Sequence, residues 1–132
     1  KLALDRYLLE RKKQVDQALS SGITFLEVER QVMGFDHTEV ASDLCSKWKL
    51  PDNHVSAMRY HHAPSASDGN QLAFIVHTAN YIAQQCGIGN SPGAPYALDE
   101  EAMEFLSLDE EDMSTYTEET VEAVNQITQS MA

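Results

Sequence analysis

The stretch QLAFIVHTANYIAQQC, residues 71–86, decides how this sequence folds. Leu72, Ile75, Val76, Ala79, Ile82 and Ala83 recur at helical spacing and make an apolar face so wide that the segment reads as a central helix. Asn80 lies beside that face. No segment on either side alternates with a period of two for more than four residues, so the neighbours must be helices as well. The expectation is an all-α multi-helix bundle with short connections.

Working upstream, APSASDGN (63–70) collects turn formers, and the adjacent pair His61-His62 closes the helix before it. In that helix Val55, Met58 and His62 share one face, and His54, Met58 and His61 an adjacent one. The break at Leu50-Pro51 ends an earlier helix carrying Val40, Leu44 and Trp48, with Trp48 expected in the core. Asp36 and Glu39 form the start signal of that helix, which puts His37 in its first turn. Thr24 with Glu27 makes a capping box for a short helix bearing Phe25, Val28 and Val32, and Gly34 stops it. Leu4, Leu8, Val15 and Leu19 outline a first helix ending at Gly22.

Downstream, GIGNSPGAPYA (87–97) is a loop and the only plausible internal boundary. Beyond it Leu98, Ala102, Phe105 and Leu106 follow the helical period. Ser107 with Glu110 suggests a capping box for a last helix carrying Val121, Val124, Ile127 and Met131. The piece after the loop is too small to stand alone. Residues 91–132 therefore read as an acidic helical extension packed on the domain formed by residues 1–90.

The chain has 132 residues, 42% hydrophobic, which is enough to bury about two thirds of its unfolded surface without disulfides or metal. Cys45 and Cys86 lack framework spacing and read as reduced thiols of a cytosolic chain. No apolar run approaches the ~20 residues that span a bilayer, and KLALDRYLLERKK is too short in apolar residues for a signal segment. A soluble, cytoplasmic protein is expected. The net charge of −12 is unevenly placed: residues 1–59 balance nine bases with nine acids, whereas residues 60–132 hold twelve acids and no Lys or Arg. Such a polyanion repels phosphate backbones and anionic headgroups, which excludes nucleic acid and membrane as partners of that surface.

Three histidines, His37, His61 and His62, sit near helix ends where side chains reach into a cleft. Adjacent imidazoles on a helix diverge by ~100°, which suits two metal ions with one ring to each. Two neighbouring cations also need carboxylates between them, and the central helix offers the neutral amide of Asn80 instead. A histidine pair at a helix C-terminus is equally favoured by the macrodipole. His54 and His77 have no companions at ligand spacing and read as surface or satisfied half-buried residues. There is no G-x-S-x-G elbow, and GIGNSPG lacks the Lys-Ser/Thr of a phosphate loop.

GFDHTEVASDLCSKWKLPDNHVSAMRYHHAP (34–64) followed by LAFIVHTANYIAQQCGIG (72–89) resembles the HDOD domain, the HD-related output domain of bacterial signalling proteins. The resemblance covers residues 1–90 and implies an HD-like helical bundle of which this chain is the C-terminal part, with Lys1-Leu2-Ala3-Leu4 following a His-Asp pair upstream. An apolar surface along Leu4, Leu8 and Val15 would then be covered by upstream helices or by a second copy, a homo-oligomer. In catalytic HD-GYP relatives, which hydrolyse cyclic di-GMP with bound metals, His37, His61 and His62 match metal ligands. Asn80 stands where those enzymes have an aspartate, Ala63 replaces a glutamate, and the GYP signature is absent. The resemblance implies a non-catalytic output or interaction module that contacts other signalling domains or proteins. The three histidines would be a vestigial metal site or a polar cluster holding three helices together, with no cofactor expected although a divalent metal is compatible. The alternative is a metal-dependent phosphohydrolase acting on a cyclic dinucleotide.

Overall fold

The computed structural model describes residues 11–89 and 93–131. The described residues form seven α-helices and one 3-10 turn, with no strand: α1 (Lys12–Leu19), α2 (Phe25–Met33), α3 (His37–Lys47), α4 (Asp52–Tyr60), the 3-10 turn (Pro64–Ser67), α5 (Gln71–Gln85), α6 (Ala102–Leu106) and α7 (Glu110–Ser130). The all-α expectation holds. Leu4 and Leu8, expected on the first helix, lie outside the described residues.

Local signals set most of the boundaries. Thr24 and Glu27 cap α2 reciprocally, and Gly34, at φ +81°, closes it in the left-handed conformation. Asp36 and Glu39 do the same for the start of α3. The box of α7 is formed by Asp109 and Asp112, two residues later than Ser107 and Glu110 would place it. Ser107 instead terminates α6 at φ +54°.

α3 packs along α4, α4 along α5, and α5 against both α6 and α7, while α1 pairs with α2. The central helix is α5, as its composition implies, but the face it buries is rotated. Ala73, Phe74, His77, Thr78 and Ile82 are buried, whereas Ile75 and Ala79 turn to solvent. The phenyl ring of Phe74 stacks on Phe105 of α6 at 4.0 Å. The rotation is possible because His77 finds two backbone partners: its Nδ1–H donates to the His61 carbonyl and its Nε2 accepts from the Asp99 N–H, both at 2.9 Å. A fully satisfied imidazole can be buried at little cost.

α3 departs further from expectation. It turns His37, Thr38 and Ser42 inward. Val40 is half-buried, but Trp48, expected in the core, is 70% exposed beside exposed Leu44 and Leu50.

Residues 93–99 form a strap rather than a free linker. The Ala94 N–H donates to the Ile23 carbonyl, and Gly93, at φ +98°, lies so close that a Cβ there would meet that carbonyl at 2.8 Å. Gln84 of α5 brackets Tyr96 by accepting from its N–H and donating to its carbonyl, each at 3.2 Å. Asp99 accepts the Ser65 hydroxyl at 2.6 Å. The α1–α2 turn, the 3-10 turn and α5 are thereby tied together at one end of the bundle, next to the histidines.

Candidate metal centre

His37 is the first residue of α3, and its position is fixed by the cap before it. The Asp36 carboxylate accepts from the Thr38 N–H and hydroxyl and from the Glu39 N–H, and it pairs with Arg30 of α2 at 2.7 Å. Burial alone would raise the Asp36 carboxyl, but the Thr38 hydroxyl and the Arg30 guanidinium outweigh it, leaving Asp36 below its ordinary value and ionised. His61 and His62 follow α4, where the chain turns into Ala63.

The three rings meet. Their centroids are 4.2 Å apart for His61 and His62, 5.1 Å for His37 and His62 and 5.4 Å for His37 and His61. One nitrogen from each lies within 4.8 Å of the other two. The other ring nitrogens explain which ones face inward. His37 Nδ1–H donates to the Glu29 carboxylate, which also accepts the His37 backbone N–H at 3.1 Å. His61 Nδ1–H donates to the Met58 carbonyl at 2.9 Å. Both assignments follow from the acceptors and leave each Nε2 with its lone pair towards the centre. His37 Nε2 accepts from His62 Nε2–H at 3.1 Å. Burial lowers the pKa of His61, so its ring is neutral near pH 7.

Tyr96 closes the centre from the strap. Its ring stacks on His62 at 4.1 Å and its hydroxyl accepts from the Leu26 N–H at 3.2 Å. Burial pushes the phenol up to about 12.

Three imidazole nitrogens on one spot fit a single borderline divalent ion such as zinc. An entering ion would replace the proton shared by His37 and His62. The set does not fit a pair of ions. No carboxylate among the described residues joins the three rings, and Glu29, the nearest acid, is turned to the outer side of His37. Asn80 is exposed, and the residue α5 directs to the loop bearing His61 is His77. His54 is exposed, with Nδ1 against Asn53.

Sequence reasoning missed Glu29 and Tyr96. Glu29 had a signal: Phe25, Val28, Glu29 and Val32 are spaced i, i+3, i+4, i+7, so the glutamate occupies an apolar slot. Tyr96 had none, because its place depends on the strap.

Residues 1–64 match the HDOD domain, a span that includes α1 to α4 and all three histidines and stops before α5. No curated protein and no solved structure matches the chain.

Proposed function

Because residues 1–64 match the HDOD domain, we propose that the chain is a non-catalytic output module of bacterial signal transduction, working by contact with other signalling domains or proteins in the cytoplasm. In this reading residues 1–90 are the C-terminal part of the domain and residues 91–132 an acidic extension of it. The observation that supports it is the donor set of the histidine centre: three imidazole nitrogens and no inward carboxylate among the described residues. A hydrolytic two-metal site must balance four positive charges, and these side chains supply none of the balance. What the centre does is join elements. Glu29 of α2, His37 of α3, the His61-His62 pair after α4 and Tyr96 of the strap are bonded or stacked in sequence. An upstream domain that shifts α2 against α4 must break this chain of contacts, which makes the centre a latch between two arrangements of the bundle.

The test uses the longest natural form of the protein, incubated with Mn2+ or Zn2+ and then with bis(p-nitrophenyl) phosphate or cyclic di-GMP. No hydrolysis above the metal-only control is expected. Hydrolysis together with two bound ions per chain in elemental analysis overturns the proposal.

A metal-dependent phosphohydrolase is the second reading, and one observation favours it. The Nδ1 protons of His37 and His61 are held by Glu29 and Met58, as the outer nitrogens of metal-binding imidazoles are. His37, His61 and His62 would hold the ion, which when bound would supply a Lewis acid for a phosphoryl oxygen. Glu29 would fix the ring of His37, and Tyr96 would cover one face of His62.

A further inference from the structure

We infer that the face shared by α5 and α7 is a docking groove for a basic amphipathic helix of a partner protein. The inference names a partner class for the interaction module proposed above and rests on that reading, but it uses no residue of the histidine centre.

The rotation of α5 leaves a cavity of about 520 Å³ between α5, the end of α6 and α7, with Ile75, Ala79, Ile82, Leu106, Leu108 and Tyr116 on its walls. Ile75 and Tyr116 remain 46% and 44% exposed, so the outer part of the apolar wall is uncovered, while Ile82 forms its buried floor. α7 has no buried residue along its 21 residues. On a 100° helical wheel Tyr116, Thr120, Val124, Ile127 and Met131 fall on one stripe, which begins in the cavity and runs on past it. Ile127 and Met131 are 58% and 82% exposed. The stripe is therefore about 22 Å long, a length for a helix of four turns rather than for a compact small molecule.

Charge selects the occupant. Asp112 and Glu119 fall along one edge of the stripe, and no Lys or Arg occurs anywhere from residue 60 to residue 132. The rim of this groove has no cation of its own half to neutralise it. Acidic helices and nucleic acid are repelled, and so is the α7 of a second copy, which repeats the same charges. A helix whose apolar face is bordered by Lys or Arg meets both requirements.

Titration calorimetry on the full 132-residue chain tests this with two designed helices, LKKLLKLLKKLLKL and its acidic counterpart LEELLELLEELLEL. The basic peptide binds with one site per chain and the acidic peptide does not. Ala79→Trp, at an exposed position, fills the groove without altering any charge and weakens binding by about tenfold or more at an unchanged melting temperature. Glu119→Lys also weakens it, with a reduced salt dependence. Equal affinity of Ala79→Trp and the parent chain overturns the proposal, because binding would then be diffuse attraction to a polyanion. Equal binding of the acidic peptide overturns it too. So does a dimer in sedimentation without peptide that Ala79→Trp abolishes, which would make a second copy the occupant. If these fail while the hydrolysis assay stays negative, the groove is lost and the output-module reading stands with its contact surface elsewhere.

Discussion

Replacing Glu29 by Gln should destabilise the bundle by about 2–3 kcal/mol, a figure built from the two bonds its carboxylate accepts. Glu29 is 0% exposed, and its Oε2 receives both the backbone N–H and the Nδ1–H of His37. Bonds to a charged acceptor contribute about 1.5–3 kcal/mol and those to a neutral one about 0.5–1.5 kcal/mol, so exchanging carboxylate for amide costs about 1 kcal/mol per bond. The amide also places two N–H donors where Oε1 now sits without a hydrogen-bond partner, adding up to about 1 kcal/mol for buried donors left unmade. In a chain of this length that corresponds to a melting temperature lower by roughly 10 °C. Urea unfolding followed by far-UV circular dichroism measures the free energy, and the Nδ1 proton resonance of His37 reports the local bond. Loss in the Glu29→Gln, His37→Leu pair should be smaller than the sum of the single losses, because both substitutions remove the same contact. A Glu29→Gln protein that unfolds within about 0.5 kcal/mol of the parent, with the His37 proton unmoved, would refute the assignment of Glu29 as the anchor of the centre.

Three further outcomes follow from the elements around it. Gly93→Ala should cost more than about 2 kcal/mol in thermal unfolding, since it forces a side chain into φ +98° and towards the Ile23 carbonyl at 2.8 Å. Asp36→Ala should cost about 2 kcal/mol at neutral pH through the lost cap and the lost Arg30 pair. Because the Asp36 carboxyl is held below its ordinary value, its stabilisation is present above the unfolded pKa of about 4 and disappears as pH falls through the lower folded value; melting curves of parent and variant should converge there. Tyr96→Phe should cost about 1 kcal/mol by removing the acceptor for the Leu26 N–H while keeping the ring on His62. The parent should also lose stability as pH rises from the unfolded phenol pKa of about 10 towards the folded value of about 12, a loss the Phe variant lacks.

Helix positions were legible because they depend on short-range chemistry. Thr24 with Glu27 and Asp36 with Glu39 each satisfy backbone donors within four residues, and both boxes form as their spacing implies. Ser107 with Glu110 matched the same pattern and failed, because Asp109 and Asp112 offer two carboxylates for the same task and Ser107 is taken by the left-handed end of α6. Which way a helix faces was less legible. Apolar periodicity put Ile75, Ala79 and Trp48 inside, yet the burial of α3 and α5 is decided by polar residues that find partners: Thr38 on Asp36, His77 on two backbone groups. A hydrophobicity pattern cannot register a hydrogen bond between residues 22 positions apart, such as His77 to Asp99.

The same limit explains what the sequence showed of the centre. His37, His61 and His62 could be named because helix ends and one short connection between α3 and α4 bring them near each other, and the structure places a nitrogen of each within 4.8 Å. What the centre can do depends on Glu29 and Tyr96, which come from α2 and from the strap. Asn80, the residue expected to stand for a missing charge, is exposed on α5. The charge that is present sits instead behind His37, where it cannot lie between two ions but does hold one imidazole to the α2–α3 corner. A carboxylate buried at that position contributes to the join between two helices whether or not an ion binds in front of it. Glu29 therefore holds His37 in place through contacts within the fold, independently of anything bound in front of the ring.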